Sequence, residues 1–422
     1  MKYGLIGEHL PHSFSREIHG KLADYEYELS ELAPSELDGF FKRADFCAIN
    51  VTIPYKQAVM PYLTYIHPQA RAIGAVNTVV NRGGELYGYN TDLFGMIALI
   101  GRIGIDIEGQ KVLVLGSGGT AATAKVAAEL LGASQVLTVG RRHDASRGVI
   151  SYENAYELHT DAEFIINTTP CGMFPYEDGG EGISSVPINL LSFPYLRGTV
   201  DVVYNPLRTN FVLDTRVPSV GGLYMLVAQA VYASALFLGT ADEPNAEMFK
   251  TIDKVYREIL REKENIVLIG MPGCGKTTVG RALAQRLGRE FVDTDEMIER
   301  KTGKRVSEIF AENGELYFRK LEKEAVREAS RLRGAIIATG GGAVLNDQNV
   351  RALKRSGRIY FIERDLENIV PTPDRPLSMT KEQLRALYRC RRERYLGALD
   401  RLIRSDEVLE HTVSAIMEDF FR

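Results

Sequence analysis

Residues 111–131 read KVLVLGSGGTAATAKVAAELL, and residues 265–287 read NIVLIGMPGCGKTTVGRALAQRL. Each opens with a short apolar run, passes through a glycine loop and continues with apolar residues at helical spacing. That order predicts a buried parallel strand feeding a helix whose N-terminus faces a phosphate, because the first amide N–H groups of a helix lack partners and its dipole is positive there. The two stretches space their glycines differently, so they are two separate phosphate-binding designs and not copies of one unit.

Around these loops the same grammar repeats. CAINVTIPYK (47–56) and GAVNTVVN (74–81) read as strands ending in polar residues, as do QVLTVGRR (135–142), EFIINTTP (163–170) and GTVDVVYNP (198–206). AIIATGGG (335–342) and RIYFIE (358–363) continue it in the C-terminal part. Strands alternating with helices predict an α/β protein with parallel sheets throughout. TIDKVYREILREKEN (251–265) is charged, helical in pattern and free of Gly and Pro, which predicts a short helical linker with a junction near Lys263–Asn265. The expected organisation is a small α/β domain over 1–93 with 222–262 returning to it, a dinucleotide-binding domain over 94–221, and a phosphate-loop domain over 263–422.

With 422 residues the chain exceeds one ordinary domain. At 45% hydrophobic and 25% charged residues it is globular in composition, and a net charge of −4 names no nucleic-acid or membrane partner. Residues 1–250 are net acidic and 251–422 net basic. Cys47, Cys171, Cys274 and Cys390 lie far apart, which argues against a disulfide scaffold or a structural zinc site. The apolar stretch at the N-terminus is too short for a signal peptide, and Leu223–Leu238 is shorter than the ~20 residues a membrane helix needs. The expected compartment is the cytoplasm. Association with further copies of the chain is left open.

Gly116-Ser117-Gly118-Gly119-Thr120-Ala121 fits the pattern GxGxxA: a tight turn, a backbone that approaches a pyrophosphate, and a helix packed closely on its strand. After the next strand an NAD site wants an acidic residue for the ribose hydroxyls, whereas this chain has Arg141-Arg142, which suits a 2′-phosphate. The expected cofactor is NADP(H); the alternative is a plain basic turn. Gly270-Met-Pro-Gly273-Cys274-Gly275-Lys276-Thr277 is a complete GxxxxGKT loop, in which backbone amides cradle phosphates, Lys276 reaches the outer ones and Thr277 ligates Mg²⁺, with a nucleotide the expected ligand.

The N-terminal part resembles shikimate dehydrogenase over roughly residues 1–258, through GEHLPHSFSREIH (7–19), NVTIPYK (50–56), GAVNT (74–78), GYNTD (88–92), NTTPCGM (167–173) and MLVAQA (225–230). The resemblance implies that Ser13 and Ser15 bind the substrate carboxylate, that Thr52, Asn77, Asp92 and Gln229 hold ring hydroxyls with Tyr204 beside them, and that Lys56 and Asp92 form the catalytic pair. It also places Thr168 and Gly222 with the cofactor. A Lys held by a carboxylate suits ketone reduction, since it can protonate and stabilise a developing alkoxide. The family commonly follows its second serine with Pro and ends that motif HN; here the run is Ser15-Arg16-Glu17-Ile18-His19-Gly20, and His12 and His19 read as structural or surface residues.

The C-terminal part resembles shikimate kinase over roughly residues 265–422, through the phosphate loop with Thr278 following it, DTD (293–295), GELYFRKLE (314–322), TGGGAV (339–344), DRPL (374–377) and RCRRERY (389–395). The resemblance implies that Asp293 sits near Mg²⁺ with Thr277 and that Asp295 bonds and activates the attacking hydroxyl. Arg319 and Arg391 would clamp the substrate carboxylate, Gly341 and Gly342 lie against the ring, and Arg375 stabilise the transferred phosphoryl group. The choice of Arg391 among Arg389, Arg391, Arg392 and Arg394 rests on its spacing to Tyr395. The lid IVPTPDRPL (369–377) is short and lacks a second arginine that many relatives carry, Asn368 standing about there. The reading is a fusion that reduces 3-dehydroshikimate to shikimate with NADPH and then phosphorylates shikimate with Mg-ATP. Its alternatives are a C-terminal half that only binds nucleotide or shikimate, and a reductase that takes quinate.

Overall fold

The computed structural model describes residues 1–10, 13–179, 184–370, 380–406 and 408–422. The chain divides into two compact units, Met1–Ile259 and Leu260–Arg422. Among the described residues no helix is long and apolar enough to cross a membrane.

The first unit holds two six-stranded sheets. One comprises β1 (Tyr3–Gly7), β2 (Tyr27–Glu31), β3 (Ala48–Val51), β4 (Tyr65–Ile66), β5 (Thr78–Arg82) and β6 (Glu85–Tyr89), in the order β2-β1-β3-β5-β6-β4. It is mixed, which corrects the expectation of parallel sheets throughout: β5 runs antiparallel to both β3 and β6. The reason is local. Gly83 and Gly84 join β5 to β6, and a connection of two residues can only reverse the chain, whereas a parallel neighbour needs a long crossover.

The other sheet comprises β7 (Lys111–Leu115), β8 (Gln135–Gly140), β9 (Val149–Ser151), β10 (Phe164–Asn167), β11 (Gly198–Asp201) and β12 (Ser219–Val220). All its pairings are parallel, in the order β12-β11-β10-β7-β8-β9. Val112 to Leu115 and Phe164 to Asn167 are buried on both faces, which is why these central strands read as unbroken apolar runs. The winding reverses between β7 and β10, so a crevice opens at their C-terminal ends, where doubly wound sheets bind ligands. The helix Gly119–Leu130 lies close to the sheet because Ala121, Ala124, Ala127 and Ala128 form its buried face. After β12 the helix Leu223–Leu238, buried along most of its length, packs on the helix Thr91–Arg102 and on β3 and β5 of the mixed sheet.

The helix Ala246–Lys263 buries Met248, Ile252, Val255 and Ile259 along one stripe. The division between units falls just after Ile259, a few residues before the expected junction, because Arg289 donates to the carbonyls of Arg261 and Glu264 and so ties the last helical turn to the second unit. That unit is a parallel sheet of β13 (Asn265–Ile269), β14 (Phe291–Asp293), β15 (Ile336–Ala338), β16 (Gly357–Arg364) and β17 (Arg401–Ser405), in the order β14-β15-β13-β16-β17. All of β13 is buried, and its glycine loop leaves from the C-terminal edge of the sheet.

Candidate active sites

In the first unit, the end of β3 and the start of the helix Thr91–Arg102 face each other. Lys56 follows β3 by a short turn, and its Nζ lies 2.6 Å from Asp92 Oδ2, with both side chains mostly buried. Asp92 is in the first turn of its helix, where a carboxylate is favoured by the dipole, and Asn90 caps that helix through the Leu93 N–H. Asn77 is buried beside them; its Oδ1 accepts the Thr91 N–H at 2.7 Å and its Nδ2 donates to Thr91 Oγ1 at 3.0 Å. The Thr91 hydroxyl also reaches Gln229 Oε1 at 3.4 Å, and Gln229 Nε2 donates to the Leu226 carbonyl. Asn77, Asp92 and Gln229 are therefore gathered round Thr91, which the sequence reading passed over although it stands next to Asp92.

Ser13 and Ser15 also meet. The Ser13 hydroxyl donates to Ser15 Oγ at 3.0 Å and accepts the Ser15 N–H at 3.2 Å, at the start of the helix Ser15–Leu22. Between them Phe14 packs against the ring of Tyr204, 5.2 Å between centroids. Thr52 is held by its N–H on the Ile6 carbonyl and by its methyl group over Gly7. His19 is a buried core residue stacked on Tyr27, its pKa pushed down to about 3 by burial; His12 lies outside the described residues.

At the crevice of the parallel sheet, Gly116 has a φ of +111°, and a Cβ there would lie 2.6 Å from Thr168 Oγ1, so only glycine lets the loops after β7 and β10 approach. Gly118 begins the helix that contains Gly119, Thr120 and Ala121. A cavity of about 590 Å³ is lined by Ser117, Arg141, Arg142, Asp144, Arg147 and Val149. Asp144 Oδ1 is engaged within the turn, accepting the Ser146 hydroxyl at 2.6 Å and the N–H groups of Ser146 and Arg147. Arg147, a third arginine missed in the sequence, donates to the Ser117 carbonyl at 2.9 Å and so joins the basic turn to the glycine loop. Three arginines fit a phosphate-bearing dinucleotide. Gly222 lies against the Val202 carbonyl at the other side of the crevice.

In the second unit, Gly273, Cys274 and Gly275 lead into the helix Lys276–Leu287, and Lys276 Nζ donates to the carbonyls of Gly270 and Met271, both at 2.9 Å. Cys274 is a buried filler and Thr278 is exposed. The Thr277 hydroxyl donates to Asp293 Oδ2 at 2.8 Å. A hydroxyl and a carboxylate at this spacing are the hard oxygen donors a Mg²⁺ ion takes. Asp293 Oδ1 caps the next helix through the Asp295 N–H.

The glycine run after β15 is where the remaining residues converge. A Cβ at Gly340 would lie 2.6 Å from Asp295 Oδ1 and 3.0 Å from Glu322 Oε1, and both of those oxygens are buried with no hydrogen-bond partner among the described residues. A Cβ at Gly342 would lie 2.2 Å from Arg319 Nη1. The Gly341 carbonyl accepts from both Arg391 Nη1, at 3.0 Å, and the Tyr395 hydroxyl, at 2.5 Å. Burial, reinforced by the carboxylates of Asp293 and Glu322, pushes the Asp295 pKa up to about 7. Glu322 is also raised by burial, against the pull of Arg319 and Arg391; Arg319 bonds it at 2.9 Å and Glu315 at 2.7 Å. Arg391 is buried while Arg389, Arg392 and Arg394 are exposed, so it alone of the four faces this pocket. Glu322 and Tyr395 were missed as site residues, although each lies one helical turn from a chosen arginine. Arg375 lies outside the described residues.

A family model described as shikimate dehydrogenase substrate binding domain matches residues 5–79, and one described as shikimate kinase matches residues 272–420. The shikimate dehydrogenase (NADP(+)) of Clostridium perfringens (strain SM101 / Type A) is 35% identical over 276 residues, covering 61% of this chain and 97% of that protein. The shikimate kinase of Clostridium botulinum (strain Eklund 17B / Type B) is 41% identical over 158 residues, covering 36% of this chain and 95% of that protein. The chain belongs to both families. Among solved structures, shikimate dehydrogenase 1 from Peptoclostridium difficile is similar with 32% identity and a TM-score of 0.53, covering 61% of this chain and 97% of its own. The shikimate dehydrogenase half thus carries the Lys56–Asp92 pair and the arginine-lined cavity. The shikimate kinase half carries the phosphate loop and the glycine run.

Proposed function

We propose that the dehydrogenase half reduces 3-dehydroshikimate to shikimate with NADPH and that the kinase half transfers the γ-phosphoryl group of ATP to the shikimate 3-hydroxyl, both in the cytoplasm. In this reading residues 1–93 with 222–262 hold the ketone, 94–221 hold NADPH and 263–422 hold ATP and shikimate. The observation that carries it is that each half keeps its reacting pair in contact: Lys56 on Asp92, and Thr277 on Asp293 close to Asp295.

Ser13 and Ser15 bind the carboxylate of the ketone, and Thr52, Asn77, Asp92 and Gln229 take its ring hydroxyls, with Tyr204 beside them. Residues 116–121, Thr168 and Gly222, with Arg141, Arg142 and Arg147 toward the 2′-phosphate, would hold NADPH, which would supply the hydride. Lys56, held by Asp92, delivers the proton to the carbonyl oxygen as negative charge gathers there.

In the kinase half Arg319 and Arg391 grip the shikimate carboxylate, a task suited to the planar guanidinium, and Gly341 and Gly342 lie against the ring. Asp295 accepts the proton of the attacking hydroxyl; a base with a pKa near 7 is poised for that at neutral pH. Mg²⁺, on Thr277 and Asp293, and the Lys276 ammonium supply the charge that offsets the phosphates, with Arg375 assisting.

The test gives the full chain shikimate, ATP and Mg²⁺ without nicotinamide and looks for shikimate 3-phosphate by mass spectrometry, with Lys276→Ala alongside. Product from the parent and none from the variant supports a working kinase. Absence of product, with 3-dehydroshikimate reduction intact in the same sample, would leave the C-terminal half as a binding module. Comparing 3-dehydroshikimate with dehydroquinate in the reductase assay decides the ketone.

A further inference from the structure

At the C-terminal edge of the parallel sheet of the first unit, β10 ends on Asn167 and β11 on Asp201, partnered in register and both fully buried. Asp201 Oδ1 accepts Asn167 Nδ2 at 2.9 Å and the Val203 N–H at 3.0 Å, and Oδ2 accepts the Thr209 hydroxyl at 2.5 Å. Asn167 Oδ1 accepts both the N–H and the hydroxyl of Thr169, at 3.0 and 2.7 Å. A carboxylate in such a place is expensive: burial drives its pKa up to about 7 against the pull of all three donors. Replacing it by an apolar side chain would leave those three buried donors unpaired, so the carboxylate is kept by what it bonds. What distinguishes the pair is what it ties down. One loop, after β10, carries Thr168 against Gly116 of the nucleotide loop. The other, after β11, carries Tyr204 against Phe14, between the two serines. That second loop is closed from behind by Gly222, whose N–H donates to the Val203 carbonyl and at which a Cβ would lie 2.0 Å from the Val202 oxygen.

We propose that Asp201 is a positioning residue of the dehydrogenase, which with Asn167 and Thr209 fixes Tyr204, and with it the contact to Phe14, relative to the nucleotide loop. The inference rests on the reading of Tyr204 as facing the ketone. Loss of the clasp is therefore felt in the use of 3-dehydroshikimate more than in NADPH affinity.

The test uses the full chain with Thr209→Val, which keeps the shape and removes the hydroxyl, Thr209→Ser, which restores it, and Asp201→Asn, which removes the carboxylate while Thr209 keeps its cap on the Val212 N–H. Kinetic constants for 3-dehydroshikimate, the NADPH dissociation constant by fluorescence and the melting temperature are read for each. Expected for Thr209→Val and Asp201→Asn is a loss of at least 10-fold in kcat/KM for the ketone with NADPH affinity within about 3-fold, and recovery in Thr209→Ser. Parental kcat/KM in Thr209→Val overturns the proposal, as does a loss of NADPH binding in step with kcat/KM and melting temperature, which is what a merely structural pair would give. Tyr204→Ala separates the two readings. If it costs activity while Thr209→Val does not, only the clasp fails; if it costs nothing, the substrate role of Tyr204 fails and the proposal with it.

Discussion

Replacing Arg147 by Ala should weaken the preference of the dehydrogenase half for NADPH over NADH. Arg147 was not among the residues expected to bind the cofactor, yet it lines the same cavity as Arg141 and Arg142. A guanidinium has five N–H donors, and one of Arg147's is committed to the Ser117 carbonyl, so four remain for a phosphate. Hydrogen bonds to charged partners contribute about 1.5–3 kcal/mol, roughly 10- to 150-fold in affinity. The three arginines are exposed, so water and salt screen them and the lower part of that range applies, about 10- to 30-fold. The expected result is that kcat/KM for NADPH falls by that factor while NADH, which lacks the phosphate, changes less than about 2-fold. The NADPH effect should shrink as salt is added. Initial rates of 3-dehydroshikimate reduction with each cofactor, followed by nicotinamide absorbance at several ionic strengths, measure this directly. An equal loss with both cofactors would refute the reasoning, because it would mean that Arg147 only braces the glycine loop through Ser117.

Lys56→Met should lower kcat for ketone reduction by roughly 10²- to 10⁴-fold, the usual worth of a positioned general acid, while NADPH binding measured by fluorescence stays at the parental value. The kinase rate of the parent should rise with pH through about 7, the value to which burial and its neighbours push Asp295. Because that value lies above the ordinary carboxylate range, the folded state holds a proton that the unfolded chain has released between about pH 4 and 7. Asp295 therefore subtracts from stability as pH rises across that window. Asp295→Asn should abolish phosphoryl transfer yet raise the melting temperature of the kinase half by a few degrees at pH 8, as read by calorimetry. Gly342→Ala places a methyl group 2.2 Å from Arg319 Nη1 and must displace that guanidinium. KM for shikimate in the kinase assay should rise at least 10-fold with KM for ATP little changed, and equal rises in both would show that the glycine run serves the phosphate loop instead.

Both glycine loops could be read directly, since a glycine pattern flanked by an apolar run and a helical pattern states a local backbone geometry. The expectation of parallel sheets was wrong at β5, antiparallel to both β3 and β6; its hairpin at Gly83-Gly84 is a signal present in the sequence but outweighed by the α/β alternation around it. Arg391 was chosen on spacing from four similar arginines; its burial and its bond to the Gly341 carbonyl are what single it out. Thr91, Glu322 and Asp201 carry no mark of their own in the sequence, because Thr, Glu and Asp are ordinary at helix starts, on helix faces and at strand ends.

The sequence by itself determined the two phosphate-binding loops, the order of the halves and the residue types that do chemistry. These depend on the sterics of glycine, on helix dipoles and on side-chain pKa ranges, all of which act within a few residues. The tertiary structure decided which polar groups are buried and which donor meets which acceptor. It brings Asn77 to Gln229 through Thr91, Asp295 and Glu322 to one glycine, and two loops onto Asn167 and Asp201. Those partners lie tens to more than a hundred residues apart, and the strength of their contacts comes from exclusion of water, a property of the packed interior that no short stretch of sequence possesses.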